Sequence, residues 1–379
     1  MPDWDATPKK SAPDLRTCEK VPRPPRSLWS AQLVLLWLTF GASCSPGSSP
    51  NGYWSDSCVS GDGRYLLAGG DRAVLVDLST GRIVERVAGM VKAVGCEEGG
   101  GVVVGYDVAF RLPGKTPVTP VPALGGDAVL ALSREGAWIS GGRQSSGGKW
   151  RGPASVFVTE KGKPRRTDLL PERFGRVGAA RHLATADTFA VRFGNLLRDG
   201  RLVLAAGWQP SQSGGVYEDV PWGFFALDLR TGETSPLTQP LHSDATFNQN
   251  RLQSISATPD GARLVVAAHD GKQVSVGRFE QGANRPSWVA SLAAQGSPRA
   301  VTISVDGEFV ATGTETRGHD APGKAWVIDR DGQVVWTGAF EGTVAGVHFL
   351  TDGSLVVVTA QAKAVKVSLP TGTEKWHAE

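Results

Sequence analysis

A short motif recurs seven times along the 379-residue chain and limits its fold more than any other feature. Each copy sets a turn between two short apolar runs. The clear copies are SCVSGDGRYLLAGG (57–70), SATPDGARLVVAA (256–268), TISVDGEFVATG (302–313) and HFLTDGSLVVVTA (348–360), and the weaker ones span 96–105, 131–142 and 195–207. Apolar runs of this length bounded by Gly and Pro predict strands and turns rather than long helices.

A second glycine-containing turn follows each copy. Its glycines are Gly81, Gly114, Gly162, Gly232, Gly282, Gly332 and Gly372. Two hairpins per repeat make a four-stranded antiparallel meander, and meanders arranged in a ring leave only short sheet edges. The sequence therefore predicts an all-β, seven-bladed β-propeller over 55–379. Its blades are expected to begin near residues 55, 93, 127, 189, 252, 299 and 344.

The elements PDG-x-x-L and D-L-x-T-G resemble the repeats of the WD-repeat, YVTN and pyrroloquinoline-quinone-like propeller superfamilies. VIDRDGQVVW and VSLPTGTEKW are similar to the quinoprotein-like repeat, with Trp336 and Trp376 where that repeat often has tryptophan. The resemblance implies a propeller whose tryptophans pack between blades. Quinoprotein dehydrogenases use an adjacent-cysteine disulfide and eight blades, whereas this chain has no Cys-Cys pair, so no cofactor is predicted.

The glycines Gly61 and Gly63 of SGDGR also suggest a phosphate-binding loop. Such a loop needs a following helix and a Lys-Ser/Thr pair, and neither is indicated here. The segment is therefore interpreted as a hairpin turn.

The N-terminus reads as an export signal, because the apolar segment Ser27–Cys44 follows the basic residues Lys20, Arg23 and Arg26. GASC resembles the end of a bacterial lipoprotein signal, which implies a signal peptide over 1–43, a lipidated Cys44 and a flexible linker over 44–54. The expected location is the cell envelope, at the outer membrane on its periplasmic side or surface. A secreted protein and a retained single-pass anchor are the alternatives.

Charge gives little support to a nucleic-acid partner. After removal of 1–43, the chain carries 34 basic and 33 acidic residues, and no basic stripe with interleaved aromatic residues is evident. The six histidines form no set with known metal-ligand spacing, so no metal site is predicted. His348 shares its repeat position with Cys58 and is interpreted as a hydrogen-bonded structural residue, with a role facing the central channel as the alternative.

The long insertions indicate where a partner binds. In a four-strand meander, the loops between second and third strands and the connections between blades fall on one face. The segments expected there are 143–153, 164–188, 208–222, 237–251 and 315–323. Aromatic and cationic residues in these segments are candidate binding residues: Trp150, Trp208, Tyr217, Trp222, Arg317 and His319. The alternative is that these aromatic residues only fold the insertions onto the propeller.

Cys58 and Cys96 occupy the same repeat position in the first two blades, which makes them neighbours on adjacent strands. An exported chain reaches an environment in which disulfides persist, so the pair is predicted to form a bridge. The sequence thus predicts an exported, lipid-anchored propeller that acts as a binding or scaffolding module of the envelope. It resembles the propeller lipoproteins of envelope assembly machines, and this resemblance implies a protein partner. A propeller enzyme, a hydrolase or a degenerate quinoprotein with its site at the channel mouth, is the alternative.

Overall fold

The structure is a computed structural model. It describes residues 54–91, 93–105, 109–118, 129–130, 137–140, 143–144, 150–151, 155–160, 163–179, 188–209, 222–241, 252–269, 273–294, 296–315, 322–369 and 371–378. By its contacts the chain divides into two compact units, Met1–Gly47 and Ser48–Glu379, and every described residue belongs to the second.

Seven four-stranded antiparallel sheets follow one another along the described part of this unit. Blade 1 consists of β1 (Trp54–Val59), β2 (Tyr65–Gly70), β3 (Arg72–Asp77) and β4 (Ile83–Ala88); blade 2 of β5 (Ala93–Glu97), β6 (Gly100–Val104), β7 (Ala109–Leu112) and β8 (Thr116–Pro117); and blade 3 of β9 (Val129–Leu130), β10 (Ala137–Ser140), β13 (Ser155–Glu160) and β14 (Lys163–Asp168). A separate hairpin, β11 (Arg143–Gln144) with β12 (Trp150–Arg151), lies between β10 and β13.

The other four blades have the same order of strands. Blade 4 consists of β15 (Thr188–Leu196), β16 (Leu202–Gln209), β17 (Trp222–Leu227) and β18 (Thr234–Pro236); blade 5 of β19 (Leu252–Ala257), β20 (Arg263–His269), β21 (Val274–Glu280) and β22 (Trp288–Leu292); blade 6 of β23 (Pro298–Ile303), β24 (Phe309–Thr314), β25 (Gly323–Asp329) and β26 (Val334–Phe340); and blade 7 of β27 (Val344–Phe349), β28 (Leu355–Thr359), β29 (Lys363–Ser368) and β30 (Thr373–Ala378). Each blade begins within two residues of its predicted start.

The connection between blades 3 and 4 differs from the expectation of a long loop over 164–188. Its first five residues complete β14, and a 3-10 turn (Pro171–Phe174) and a short helix α1 (Gly175–Ala179) follow. Phe174 and Val177 are buried in a hydrophobic cluster with residues of blade 4, so the described part of this connection packs onto the propeller. No helix in the described ranges has the length and apolarity needed to cross a bilayer.

The first strand of each blade lies innermost. Contacts join β15 to β19, β19 to β23, β23 to β27, β27 to β1, β1 to β5 and β5 to β9. Second strands such as β2 are buried along their whole length, because both faces of a blade are covered by its neighbours. Leu66 and Ala68 pack with blade 7, while Tyr65 and Leu67 pack with blade 2. This two-sided burial explains the continuous apolar runs of the motif.

In blades 1, 5 and 6 the first turn of the motif is closed by a serine or threonine and an aspartate. In blade 1, Ser60 Oγ donates to Asp62 Oδ1 (2.6 Å) and accepts from the backbone N–H of Tyr65 (2.8 Å). Gly63 completes the turn with a φ of +70°. Thr258 with Asp260 and Ser304 with Asp306 repeat the arrangement in blades 5 and 6. The interpretation of SGDGR as a hairpin turn is confirmed.

Tryptophans on the outer strands dock on the next blade. A Cβ built on the turn glycine of that blade would meet the indole in three cases: Trp288 at Gly332 (3.2 Å), Trp336 at Gly372 (2.4 Å) and Trp376 at Gly81 (2.8 Å). The indole N–H of Trp376 also donates to the Leu78 carbonyl (3.1 Å). The predicted packing of tryptophans between blades is therefore present.

Ring closure needs no exchanged strand, because blades 1 and 7 are each built from four consecutive strands. The Trp376 contact is one of several that join them. The backbone N–H of Trp54 donates to the carbonyl of Ala360 (3.0 Å), and Lys366 Nζ lies 3.5 Å from the Leu78 carbonyl oxygen. The two terminal blades are thus held by noncovalent contacts alone among the described residues.

The two faces of the ring differ. We call the side with the connections between second and third strands the loop face, and the side with the two hairpin turns of each blade the hairpin face. At the loop face, β16 ends and β17 begins on either side of 210–221, and β24 ends and β25 begins near 316–321. Trp54 begins β1 at this face, because it pairs with Gly70 at the end of β2 and bonds to Ala360 between β28 and β29.

The indole of Trp376 packs against Gly81 where blade 7 meets blade 1, so Gly81 should not tolerate a larger residue. Gly81→Ala places a methyl group against Trp376, so we expect a loss of about 1–3 kcal/mol beyond the cost of its positive φ. Gly282→Ala is the matched control, because Gly282 has a φ of +78° in the equivalent turn of blade 5 and open space around its Cα. Urea unfolding of both variants measures the difference. Equal losses would show that the indole contact contributes nothing.

Candidate functional site

A polar residue or cysteine recurs at one position of the innermost strands, four residues before the central residue of the first turn. Its occupants in the described repeats include Cys58, Cys96, Asn195, Ser256 and His348. Asn195 Oδ1 of blade 4 accepts from the backbone N–H of Ala257 (2.7 Å) and from Ser256 Oγ (3.2 Å) of blade 5. Side chains at this position therefore link one blade to the next.

Cys58 and Cys96 provide the covalent form of this link. They form a disulfide between β1 and β5, with their Cα atoms 5.7 Å apart, within the range that a bridge requires. The predicted bridge between the first two blades is confirmed.

His348 of β27 links blade 7 to blade 1. Its Nε2 lies 2.9 Å from Ser57 Oγ on β1. Gly346 makes room for the pair, since a Cβ there would lie 2.0 Å from Ser57 Oγ. Burial lowers the pKa of His348 to about 4, so the imidazole is neutral at pH 7. The structure thus agrees with the interpretation of His348 as a hydrogen-bonded structural residue.

Asp56 lies beside this link and joins blade 1 to blade 2. Its Oδ2 accepts from the backbone N–H of Val94 (3.2 Å), and its Oδ1 accepts from the N–H of Ser57 (2.9 Å). Burial raises the pKa of Asp56 to about 6, against the lowering effect of both hydrogen bonds. A half-buried carboxyl and a neutral imidazole thus lie on adjacent innermost strands.

The chemistry that Asp56, Ser57 and His348 can perform is limited by these hydrogen bonds. Nucleophilic catalysis by serine needs a histidine base that a third group orients. Both oxygens of Asp56 bond to backbone N–H groups instead, and Ser57 is the hydrogen-bond partner of His348 within the described ranges. No group of three potential metal ligands occurs in the described ranges. The three residues act here as links between blades.

Trp222 requires a correction. It was predicted to bind a partner from a loop, but it begins β17 and its side chain is 0% exposed. It packs over Gly207, where a Cβ would lie 2.5 Å from the indole. Gly207 and Trp222 are also paired across β16 and β17. Trp222 is therefore a core residue, and its side chain offers no surface to a partner.

Trp208 is half-buried in an aromatic cluster at the loop-face end of blade 4. Its ring packs edge-on against Phe189 with centroids 5.2 Å apart. Phe189 and Phe225 in turn contact Phe174, which the connection from blade 3 delivers. For Trp208 the structure thus favours the alternative that the aromatic residue fixes an insertion to the propeller.

The remaining predicted site residues are not placed by the structure. Trp150 belongs to β12, but its side chain lies outside the described part of the chain. Tyr217, Arg317, His319 and the predicted lipidation residue Cys44 also lie outside it. Their binding and lipidation roles stay predictions.

Sequence reasoning missed Asp56 and Ser57. The sequence does contain a signal for them. Asp56 and Ser57 are polar, whereas the equivalent positions of the other described first strands hold apolar or small residues. Their partners Val94 and His348 are distant in sequence, and only the closed ring brings them together.

No protein-family profile matches the chain, and no curated protein matches its sequence. Solved structures do match. Hydrazine synthase of Kuenenia stuttgartiensis is 13% identical with a TM-score of 0.57, over 86% of this chain and 99% of that one. The Cps50 (Swd1) β-propeller domain of Myceliophteria thermophila is 12% identical with a TM-score of 0.54, over 84% and 96%. Kluyveromyces lactis Hsv2 is 12% identical with a TM-score of 0.52, over 86% and 99%. These likenesses show the β-propeller fold.

Asp56 and His348 should impose opposite pH dependences on stability. His348 has a pKa of about 4 against 6.5 for the free side chain, so the unfolded chain binds more protons there and stability is lost as the pH falls from 6.5 to 4. Asp56 has a pKa of about 6 against 3.8, so the native state binds more protons and stability is lost as the pH rises from 4 to 6.

We expect the two effects, about 3 kcal/mol each, to offset one another in the unsubstituted chain. Asp56→Asn should therefore lose stability relative to that chain as the pH falls from 6.5 to 4, and His348→Gln should gain it. Urea unfolding at several pH values tests this. If the stability of both variants changed with pH in the same way, the opposite pKa shifts of Asp56 and His348 would be contradicted.

The disulfide should contribute strongly to stability, because it closes a loop with a sequence separation of 38. Loop-closure entropy predicts a loss of about 4 kcal/mol for the variant Cys58→Ser/Cys96→Ser. Guanidinium unfolding measures it, and the unsubstituted chain under reducing conditions is the control that should match the variant. A loss below about 1 kcal/mol would contradict the loop-closure account of the bridge.

Proposed function

We propose that the protein is an exported, lipid-anchored β-propeller that binds a protein partner at the bacterial cell envelope and uses the loop face to do so. The observation that carries this proposal is the Cys58–Cys96 disulfide. Structural disulfides persist in exported proteins and are rare in the cytosol. The bridge therefore supports the reading of the N-terminal apolar segment as an export signal.

Lipid anchoring at Cys44 is supported by the sequence GASC and by the chain that follows. The segment 45–53, SPGSSPNGY, separates Cys44 from the first described strand. A lipidated cysteine that precedes a folded domain by a short segment is the arrangement of an envelope lipoprotein.

Partner binding at the loop face is supported by the unequal faces of the ring. The hairpin face carries turns such as Ser60–Asp62 and Ser304–Asp306, whose side chains are used in closing the turn. The longer connections leave from the loop face. Binding residues concentrate on loops that a rigid scaffold positions.

Cys44→Ser should abolish lipidation and release the protein from membranes into the soluble fraction. Metabolic labelling with a fatty-acid analogue, followed by membrane fractionation, measures both effects. The variant Cys58→Ser/Cys96→Ser is the control, because it keeps Cys44 and should still be labelled. Equal labelling of the Cys44→Ser variant would refute the anchor.

The loop-face site is tested by replacing residues 210–221 with a Gly-Ser segment of the same length. Gln209 and Trp222 are kept, because both belong to strands and Trp222 is a core residue. Affinity capture from membranes should lose the partner with this variant and keep it with Val305→Ser, an exposed change on the hairpin face. Recovery of the same proteins with both variants would refute this site.

A further inference from the structure

Trp54 is the first described residue of the propeller and is firmly packed within it. Its side chain is 1% exposed, and its backbone N–H donates to the Ala360 carbonyl of blade 7. It begins β1, an innermost strand, at the loop face. The chain toward Cys44 is therefore continuous with the loop-face end of an innermost strand.

The length of this segment limits how the propeller can stand on a membrane. Ten Cα–Cα steps separate Cys44 from Trp54, which reach at most ~36 Å when fully extended. To turn the hairpin face toward the bilayer, the chain would have to pass around the rim. That path crosses a four-stranded blade (~14 Å) and then runs along strands of about six residues (~20 Å), which uses almost the whole reach.

The same limit restricts what fits between the loop face and the bilayer. A globular domain of about 100 residues has a radius of gyration of about 13 Å and is therefore about 34 Å across. It would fit only if the segment 45–53 were straight, fully extended and perpendicular to the membrane. A membrane-embedded protein that projects only a short way meets no such restriction.

We infer that the anchored propeller presents its loop face to the bilayer that holds its lipid, and that the protein bound there is an integral membrane protein of that bilayer. This inference rests on the lipid anchoring proposed above. Soluble proteins of the surrounding compartment reach the hairpin face and the rim instead.

Orientation can be measured with two matched single-cysteine variants of the full lipidated chain. Asp71→Cys lies in the exposed turn between β2 and β3 on the loop face, and Val305→Cys lies in the exposed turn between β23 and β24 on the hairpin face. Each variant supplies the reactive thiol, because Cys58 and Cys96 are bridged and Cys44 is alkylated in the lipidated form. Each is labelled with a donor fluorophore and reconstituted into vesicles that contain a headgroup-labelled acceptor lipid.

Energy transfer from position 71 should exceed that from position 305 by about twofold or more, because a strand length of ~20 Å separates the two faces. Equal transfer, or stronger transfer from position 305, overturns the orientation. Insertion of a long Gly-Ser segment between Ser48 and Ser49 should abolish the difference, because the reach then exceeds the path around the rim. Persistence of the difference would overturn the tether argument.

Flotation of the same vesicles reports anchoring separately. If the protein does not float with lipid, the lipid anchor of the proposed function fails, whereas floating protein with the opposite transfer ratio refutes only the orientation. The Cys44→Ser variant should not bind protein-free vesicles, and binding would show that the loop face contacts lipid instead of a protein.

The partner class is tested by photo-cross-linking from positions 71 and 305 in intact cells. The cross-linker is cleavable, so the partner can be freed from the lipidated propeller before extraction. The partner freed from position 71 should resist extraction with alkaline carbonate, as an integral membrane protein does. A freed partner that carbonate extracts, or the absence of an adduct at position 71, overturns the assignment of the partner.

Discussion

Burial of both faces of every blade is the constraint on which the rest of the structure depends. A single meander of four short strands cannot cover its own apolar residues, so Leu66 and Leu67, adjacent in sequence, pack in opposite directions against blades 7 and 2. The same requirement forces blades 1 and 7 together, because each would otherwise expose a fully apolar face. Closure is thus a consequence of packing, and Trp376 on Gly81 gives it a defined register.

The innermost strands add a polar layer to this apolar ring. Asp56, Asn195 and His348 each satisfy a hydrogen bond that belongs to a neighbouring blade. Groups of this kind are expensive to bury unless they are paired, so they favour one alignment of the blades over slipped ones. Their hydrogen bonds join neighbouring blades along the inner side of the ring.

Much of the architecture could be predicted from sequence because the repeat is local. The Ser60–Asp62 turn, the apolar run after it and the second turn glycine all lie within one blade. Their spacing therefore predicts where the strands of that blade begin and end. Trp222 was misplaced because a boundary between loop and strand depends on pairing with Gly207, which no local pattern records. The links from Asp56 and Ser57 depend on contacts between sequence-distant strands. Among the links between innermost strands, the Cys58–Cys96 bridge could be predicted, because two cysteines at one repeat position identify each other.

The junction between blades 1 and 2 combines two departures from the pattern. Glu85 stands where the outer strands of blades 6 and 7 carry Trp336 and Trp376, and it reaches the next turn by accepting from the Gly114 N–H (2.9 Å) rather than by packing an indole. The disulfide crosses this same junction. A ring of blades can open at any junction between two neighbouring blades. Because the disulfide holds blades 1 and 2 together, the ring is expected to open first at another junction. In an oxidising compartment, blade 1 is thus held covalently to blade 2 and by noncovalent contacts to blade 7. In a reducing compartment it would lose that bond at a junction with no indole to replace it. The order in which the ring comes apart would therefore depend on the compartment in which the chain is found.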